Sequence, residues 1–285
     1  MMRESEAANA AQEAYWNEVA GPKWVELDAL INDQIEALGL EAIARAKPGA
    51  GEAVLDIGCG CGHSSLELAR RVGEGGRVLG ADVSQPMLEL ARSRADAFSQ
   101  LSFLQADAQT HAFEAGAFDL VFSRFGVMFF EDPAAAFANF FRALRPGGRL
   151  VFVCWQEIGK NPWMAVPGAA AMQHLEGGAP PDPTAPGPFA FADAQRVAGL
   201  LEGAGFEAIR HEAHTSRVTV GRGLSGEQVL EFLVQMGPAG AAMREAAPEV
   251  QARIRTSVAA AVAPLLTEEG MVADAATWVV HAGKG

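Results

Sequence analysis

The chain has little cysteine, little positive charge and no long apolar run. Its three cysteines, Cys59, Cys61 and Cys154, are an odd number without disulfide-like spacing, which predicts a reducing compartment and a cytoplasmic protein. Lys and Arg number 22 against 35 Asp and Glu, a net charge of −13. Such a surface repels phosphate, so we expect neither nucleic acid nor an anionic membrane as a partner.

Targeting segments and metal sites are also not expected from the sequence. The N-terminus has no apolar signal-peptide core, and no run approaches the roughly 18 apolar residues that a membrane-spanning helix needs. Cys59 and Cys61 have only His63 nearby, and no further Cys or His completes a four-ligand set. We therefore predict no metal.

The chain alternates between short apolar runs and amphipathic helices, which is typical of an α/β fold with a parallel sheet. We predict four segments: a helical lid over 1–46, a cofactor-binding core over 47–156, a Pro-rich cap insertion over 157–190, and the end of the sheet over 191–285 with a helical insertion at 224–268. The cap is expected to be irregular because it holds seven of the 15 prolines. In a second interpretation the insertions are peripheral packing.

Three local signals refine this prediction. Gly21-Pro22 predicts a break between two N-terminal helices, since both residues punctuate helices. Ser64 or Ser65 is expected to cap the helix after the first strand. Asp132, followed by Pro133, predicts the start of a later helix.

The stretch "VLDIGCGCGHSS", residues 54–65, is a glycine-rich loop behind an apolar strand. A dinucleotide fingerprint needs G-x-G-x-x-G, and its third glycine falls on His63 or Ser65. This weakens an oxidoreductase that uses NAD or FAD. A nucleoside-triphosphate loop needs a lysine, and none lies between Lys47 and Lys160. What remains is a loop in which the backbone approaches a ligand closely.

Two acids follow at the ends of the next two predicted strands. Asp82 could accept hydrogen bonds from two vicinal ribose hydroxyls, and Asp107 could receive the amine of adenine. Each residue alone could be a turn or cap residue. Occurring in order at consecutive strand ends, they indicate a nucleoside site at the carboxyl edge of the sheet.

Five stretches in order resemble the motifs of class I S-adenosylmethionine-dependent methyltransferases, in the small-molecule group of the ubiquinone and menaquinone biosynthesis enzymes. They cover roughly residues 50–155 and read "VLDIGCGCGHSS", "GADVSQPML", "LQADAQ", "FDLVFSRFGVMFF" and "LRPGGRLVF". The resemblance implies a Rossmann-like, seven-stranded, mostly parallel sheet with an antiparallel last strand and helices on both faces. It also implies S-adenosylmethionine as cofactor and S-adenosylhomocysteine as product. Cys61 departs from the Thr or Ser that is commoner in that loop.

By this resemblance, the glycine loop faces the methionyl part, Asp82 the ribose, and Asp107 the adenine. The N-terminal aromatic residues are expected to fold over the cofactor, although they could equally pack on the surface. The expected cofactor-binding residues are Tyr15, Trp24, Asp56, Gly58, Cys59, Gly60, Ser64, Asp82, Val83, Met87, Asp107, Ala108, Ser123 and Arg124.

The methyl acceptor is less well defined by the sequence. The fourth strand is followed by "SRFG" rather than the Asn/Asp-Pro-Pro-aromatic step of base methyltransferases, so we predict a small, partly apolar molecule. "FGVMFF" could wall its pocket or be core. The candidate catalytic residues are His111, His174 and Arg124. A non-catalytic protein that binds S-adenosylmethionine is the alternative, and oligomeric state is left open between monomer and homodimer.

Overall fold

A single mixed sheet lies at the centre of the molecule. The structure, a computed structural model, describes residues 9–175 and 182–285. Seven strands run in the order β3-β2-β1-β4-β5-β8-β6, and the short β7 pairs with β8 beside this path. The strands are β1 Ala53–Ile57, β2 Arg77–Asp82, β3 Leu101–Gln105, β4 Phe118–Arg124, β5 Leu144–Trp155, β6 Glu207–Val220, β7 Leu266–Thr267 and β8 Gly270–Gly283.

The pairing confirms the predicted α/β fold. Strands β1 to β5 pair in parallel, and β8 is antiparallel to both β5 and β6. The helices are α1 Ala10–Ala14, α2 Ala20–Glu26, α3 Asp28–Ala46, α4 His63–Val72, α5 Gln85–Ser93, α6 Pro133–Ala143, α7 Pro162–Met172, α8 Ala194–Gly203, α9 Gly226–Leu233, α10 Gly237–Glu245 and α11 Pro248–Val262.

The core lies on both faces of the sheet. Every residue of β4 before Arg124 is buried, and the large side chains Phe122, Phe137 and Phe152 are fully enclosed. Such continuous burial is expected of a central parallel strand that has helices on both sides. It fixes the strand ends, and therefore the loops that follow them, as a rigid edge.

The N-terminal region differs from the prediction of a break at Gly21-Pro22. Both residues lie inside α2, at its second and third positions. A π-helical segment, Tyr15–Val19, joins α1 to α2 without a turn. Residues 1–8 of the predicted lid lie outside the described part of the chain.

Two further expectations about the insertion and the strands are wrong in part. The Pro-rich segment is not irregular throughout, because α7 begins at Pro162 and keeps Pro167 inside it. Pro180 and Pro181 lie outside the described residues. The two final long strands, β6 and β8, each extend over 14 residues, longer than the short apolar runs of the alternating pattern suggested. The capping prediction for α6 is confirmed, since the Asp132 side chain accepts a hydrogen bond from Ala135 N.

Among the residues described here, no helix combines the length and the apolar character needed to cross a membrane.

Candidate cofactor and acceptor site

A cavity of about 780 Å³ opens at the carboxyl edge of the parallel strands. One side is the loop after β1 together with the ends of β2 and β4. The opposite side comes from the N-terminal helices, from α7, and from residues 232–244 of the late insertion. Crevices at this edge are where α/β sheets bind ligands.

Three glycines give the loop after β1 its shape. Gly58, Gly60 and Gly62 all have positive φ angles, of 63°, 55° and 84°. A Cβ on Gly58 would lie 2.8 Å from the Gly126 Cα, and one on Gly60 would lie 2.8 Å from the Met87 Cε. A side chain at these positions would adopt a strained left-handed conformation, and at Gly58 it would also clash with backbone. The alternate spacing of glycine therefore follows from the backbone that the loop must adopt.

Asp82 ends β2 and lines the cavity beside this loop. Its carboxylate accepts hydrogen bonds from Gly60 N and Ser84 N, both at 2.8 Å. Burial raises the pKa of Asp82, and these backbone donors oppose that rise by stabilising the charged form. The carboxylate is thus held in one orientation, with remaining acceptor capacity for ligand hydroxyls.

Asp56 lies below the loop and is fully buried. Ser64 Oγ and Ser65 Oγ donate to its Oδ2 at 2.7 and 2.6 Å, so both serines serve this carboxylate and neither caps α4, contrary to the prediction. Burial raises the pKa of Asp56 to about 6. Its Oδ1 has no hydrogen-bond partner among the described residues. Asp56 is not among the described residues that line the cavity, so its effect on a ligand there would be through its charge.

Arg124 ends β4 and reaches the cavity from the sheet side. Its guanidinium donates to Asn32 Oδ1 at 2.9 Å, and burial lowers the pKa of Arg124. Ser123 beside it is fully buried, and its Oγ accepts from Gly126 N at 3.2 Å. Ser123 therefore shapes the turn after β4 and is not among the described residues that line the cavity.

Asp28, His63 and Arg94 form a cluster that no pattern in the sequence predicted. The Asp28 carboxylate lies 3.0 Å from His63 Nε2 and also pairs with Arg94. Burial by itself would raise the pKa of Asp28, but the hydrogen bonds of His63 and Arg94 hold it well below its usual range. Asp28 and His63 both line the cavity. No local motif marks Asp28, because α3 brings it to the loop from 30 residues upstream of Gly58.

The predicted adenine end contains Val83, Met87 and Ala108, which line the cavity. Asp107 was expected to offer a free carboxylate to the adenine amine, but the structure engages this carboxylate in hydrogen bonds with the protein. Its Oδ1 accepts hydrogen bonds from Asn9 Nδ2 at 3.2 Å and from Gln109 N at 2.9 Å. Asp107 itself is not among the described lining residues.

The N-terminal aromatic residues pack together over the cavity. Trp16 contacts Tyr15, Trp24 and Phe129, with ring centroids 5.8, 5.9 and 5.1 Å apart. All four rings line the cavity. Aromatic faces attract cations, so this cluster suits a positively charged ligand beneath it.

The inner wall of the cavity is apolar and begins directly at the glycine loop. Phe125 follows β4 with a φ of 62°, an uncommon conformation for a bulky residue, and stacks on Trp155 at 4.2 Å. Trp163 meets Trp155 edge-on at 5.2 Å. The "FGVMFF" stretch therefore contributes both wall and core, since Val127 is fully buried and its neighbours line the cavity. Further apolar lining side chains are Ile31, Ile35, Met164, Phe189, Phe232, Leu233, Met236 and Met243.

The two candidate histidines lie apart from this site. His174 Nε2 is 2.7 Å from Ser257 Oγ, and the His111 ring packs on Phe113 at 4.8 Å. Neither is among the cavity-lining residues of the described chain. The geometry does not favour either as a base, and their catalytic role stays a prediction.

Comparison with known proteins agrees with this geometry. The model of a methyltransferase domain matches residues 54–148. The 2-phytyl-1,4-naphtoquinone methyltransferase of Thermosynechococcus vestitus is 33% identical over 172 residues, which cover 56% of this chain and 75% of that protein. The chain belongs to the class I S-adenosylmethionine-dependent methyltransferases.

Other methyltransferases match shorter stretches. The demethylmenaquinone methyltransferase of Lactococcus lactis is 37% identical over 36% of this chain and 42% of its own length. Aklanonic acid methyltransferase of a Streptomyces species is 38% identical over 40% of this chain and 53% of its own. The chain thus spans about half the length of these two curated relatives. The solved structure of YcgJ from Bacillus subtilis shares the fold, with a TM-score of 0.56, 17% identity, and coverage of 87% of this chain and 98% of that one.

Proposed function

We propose that this methyltransferase moves the methyl group of S-adenosylmethionine to a small, ring-containing and largely apolar acceptor. The single observation that carries the proposal is that one cavity joins the glycine loop and Asp82 to the wall of Phe125, Trp155 and Trp163. A donor site and an apolar acceptor site in contact are what a direct transfer requires.

The donor end of the cavity has the groups for a nucleoside with a cationic tail. We assign the ribose hydroxyls to Asp82 and the adenine faces to Val83 and Met87. The methionyl tail of the cofactor would pass close to the backbone of Gly58 and Gly60, because neither residue has a Cβ. When bound, S-adenosylmethionine supplies a methyl group on a positively charged sulfur, which an acceptor displaces in line.

Both acidic and basic groups lie beside the loop. Asp82 lines the cavity and Asp56 is buried beneath the loop, whereas Asp28 is paired with His63 and Arg94. Arg124 is the basic group on the sheet side. The carboxylates of Asp56 and Asp82 favour a cationic donor over its neutral-sulfur product, which would help product leave. The chain's residues orient the ligands and exclude water, and proximity can supply the acceleration without a dedicated base.

The shape of the acceptor end of the cavity supports a ring-containing acceptor. Stacked and edge-on aromatic side chains with several methionines form a deformable apolar slot. The names of the two relatives that act on quinones, demethylmenaquinone and 2-phytyl-1,4-naphtoquinone, point in the same direction. The free, buried cysteines support the further proposal of a cytoplasmic protein, which a membrane or periplasmic fraction containing the native protein would overturn.

The test combines binding with turnover. Calorimetric titration with S-adenosylmethionine and S-adenosylhomocysteine measures the donor site. Mass-labelled S-adenosylmethionine is then incubated with reduced naphthoquinones, hydroxynaphthalenes and aliphatic alcohols of similar size. We expect binding of both cofactors and label transfer to ring-containing acceptors only. Binding without transfer to any acceptor would instead favour a non-catalytic cofactor-binding protein.

A further inference from the structure

The charged side chains that line the cavity do not follow the composition of the chain. Asp and Glu outnumber Lys and Arg by 35 to 22 in the whole sequence. Among the described lining residues this balance is reversed, since the carboxylates are only Asp28 and Asp82, both beside the glycine loop. The lining Lys and Arg side chains are Lys23, Arg124, Arg244 and Arg255.

Two of these arginines lie at one corner of the wall opposite the glycine loop. Arg244 is in the last turn of α10, and Arg255 lies on α11, one turn after Gln251 and on the same face. The Gln251 Nε2 donates to the carbonyls of Met243 and Ala246, at 3.1 and 3.0 Å. Because these two residues flank the end of α10, the contact fixes that end, and Arg244 with it, against α11.

The carboxylate partners of this side lie outside the cavity lining. The Arg255 guanidinium donates to both oxygens of Glu231, at 2.6 and 3.3 Å, and Lys23 pairs with Glu26 at 2.7 Å. Neither glutamate is among the described lining residues. Arg244 is exposed, and none of the ion pairs found within the described part of the chain includes it. This corner therefore presents guanidinium groups to the cavity and no carboxylate.

The wall beside the two arginines is apolar. Met236 and Met243 line it from the late insertion, and Trp163 lines it from α7, which contacts both α10 and α11. An aromatic molecule that fills this side thus has a guanidinium within the same wall. A guanidinium donates to two oxygens of a carboxylate or phosphate at once, in a planar geometry that gives specificity as well as affinity.

We infer that Arg244, with Arg255 beside it, binds an anionic oxygen group, a carboxylate or a phosphate, on the aromatic methyl acceptor. The inference rests on the proposed function, because it assumes that the acceptor occupies the apolar side of the cavity. The two charged ligands are then held apart, with the cationic donor at Asp82 and the anionic group at the opposite wall. The anionic group is a recognition group and is not the atom that receives the methyl, and Arg244 is a specificity-determining residue.

The test measures binding of three fluorescent ligands of similar shape in the presence of saturating S-adenosylhomocysteine: 2-naphthoate, the neutral 2-naphthamide, and 2-naphthyl phosphate. For the unchanged protein at low salt, we expect 2-naphthoate to bind about tenfold more tightly than 2-naphthamide. This preference should shrink at about 0.5 M NaCl, since salt screens exposed charges. Whichever of the two anions binds more tightly identifies the anionic group. Equal binding of 2-naphthamide and both anions would overturn the inference.

Arg244→Gln should reduce the preference for 2-naphthoate to about twofold, and Arg244→Lys should keep part of it, because an ammonium retains the charge but not the planar pair of donors. Arg255→Gln should reduce it less, since Glu231 already offsets that charge. Arg253→Gln is the matched control. It removes the same charge from an exposed position of α11 that is not among the described lining residues, and it should leave the preference unchanged.

An equal loss of preference in Arg244→Gln and Arg253→Gln would mean that only the general surface charge matters, and it would overturn the inference. A lower melting temperature of Arg244→Gln with an unchanged preference would do the same, because Arg244 would then serve only the end of α10. If S-adenosylhomocysteine does not bind the unchanged protein, the proposed function itself fails. If it binds and no anion is preferred, only the assignment of Arg244 fails.

Discussion

The two walls of the cavity are built in different ways. The wall at the sheet edge depends on backbone geometry, with three positive-φ glycines and one carboxylate held by two backbone N–H groups. The opposite wall depends on side chains from three separated segments, in contact through apolar and aromatic surfaces. A backbone-defined wall tolerates almost no change, whereas an apolar wall can repack. The sheet edge is therefore suited to a ligand of one shape, and the opposite wall can accommodate ligands of different shapes.

Gly58→Ala should have the largest effect, because its Cβ would meet the Gly126 backbone at 2.8 Å in a conformation that already strains alanine. We expect S-adenosylhomocysteine to bind about a hundredfold more weakly, close to 3 kcal/mol, in calorimetry. Gly73→Ala is the matched control, with a φ of 68° and nothing within 4 Å of the new Cβ. It should lower the melting temperature, since its ψ of −176° places it in a region essentially restricted to glycine, and leave affinity within about twofold. If both variants weakened S-adenosylhomocysteine binding equally, the affinity would not depend on the backbone geometry at Gly58.

Asp82→Ala should come next. Loss of a carboxylate that accepts from ligand hydroxyls costs roughly 1.5–3 kcal/mol, or about 10- to 150-fold in the dissociation constant. Asp193→Ala removes another carboxylate that accepts from two backbone N–H groups, at the start of α8. That control should cost stability only, and an unchanged cofactor affinity in Asp82→Ala would refute the ribose assignment.

The affinity for S-adenosylmethionine should depend on pH. The pKa of Asp56 is raised to about 6, mainly by burial, so the carboxyl is largely protonated at pH 5 and ionised at pH 7.5. A cationic ligand favours the ionised form, and the dissociation constant should therefore fall as pH rises through 6, by up to about tenfold. Asp56→Asn should flatten the profile. If the dissociation constant of the unchanged protein did not vary with pH, ionisation of Asp56 would not contribute to ligand binding.

The smallest effect should come from the acceptor wall. Met236→Ala removes a half-buried lining side chain from the late insertion. We expect 1-naphthol, used as a fluorescent aromatic probe, to bind about three- to tenfold more weakly, while S-adenosylhomocysteine affinity stays within about twofold. Met172→Ala, at a methionine that is 47% exposed and away from the cavity, should change neither. A parallel loss of both ligands in Met236→Ala would mean that the two walls are not separable.

This difference between the walls also explains how far the sequence could be interpreted. The glycine loop, Asp82 and the sheet follow from local patterns, because each strand and the loop after it lie within a few residues of one another. Asp28 could not be assigned, since its role depends on a contact with Arg94, which is 66 positions away along the chain. Ser64 and Ser65 fit the pattern of helix caps, but a buried Asp56 without other donors takes both hydroxyls.

For helix α7, the prediction from local composition was wrong. Prolines at its first turn and at Pro167 predicted irregular chain, yet the segment contacts α10 and α11 and remains helical. Tertiary packing outweighs propensity there.

The central claim is that the donor's sulfur lies where the glycine loop meets the aromatic wall. A crystal structure with S-adenosylhomocysteine bound tests it most directly. We predict ribose hydroxyls within hydrogen-bond distance of Asp82 and the sulfur facing Phe125 and Trp155, with open cavity between the sulfur and Met236. The product bound elsewhere, or with its sulfur turned away from that wall, would contradict the account.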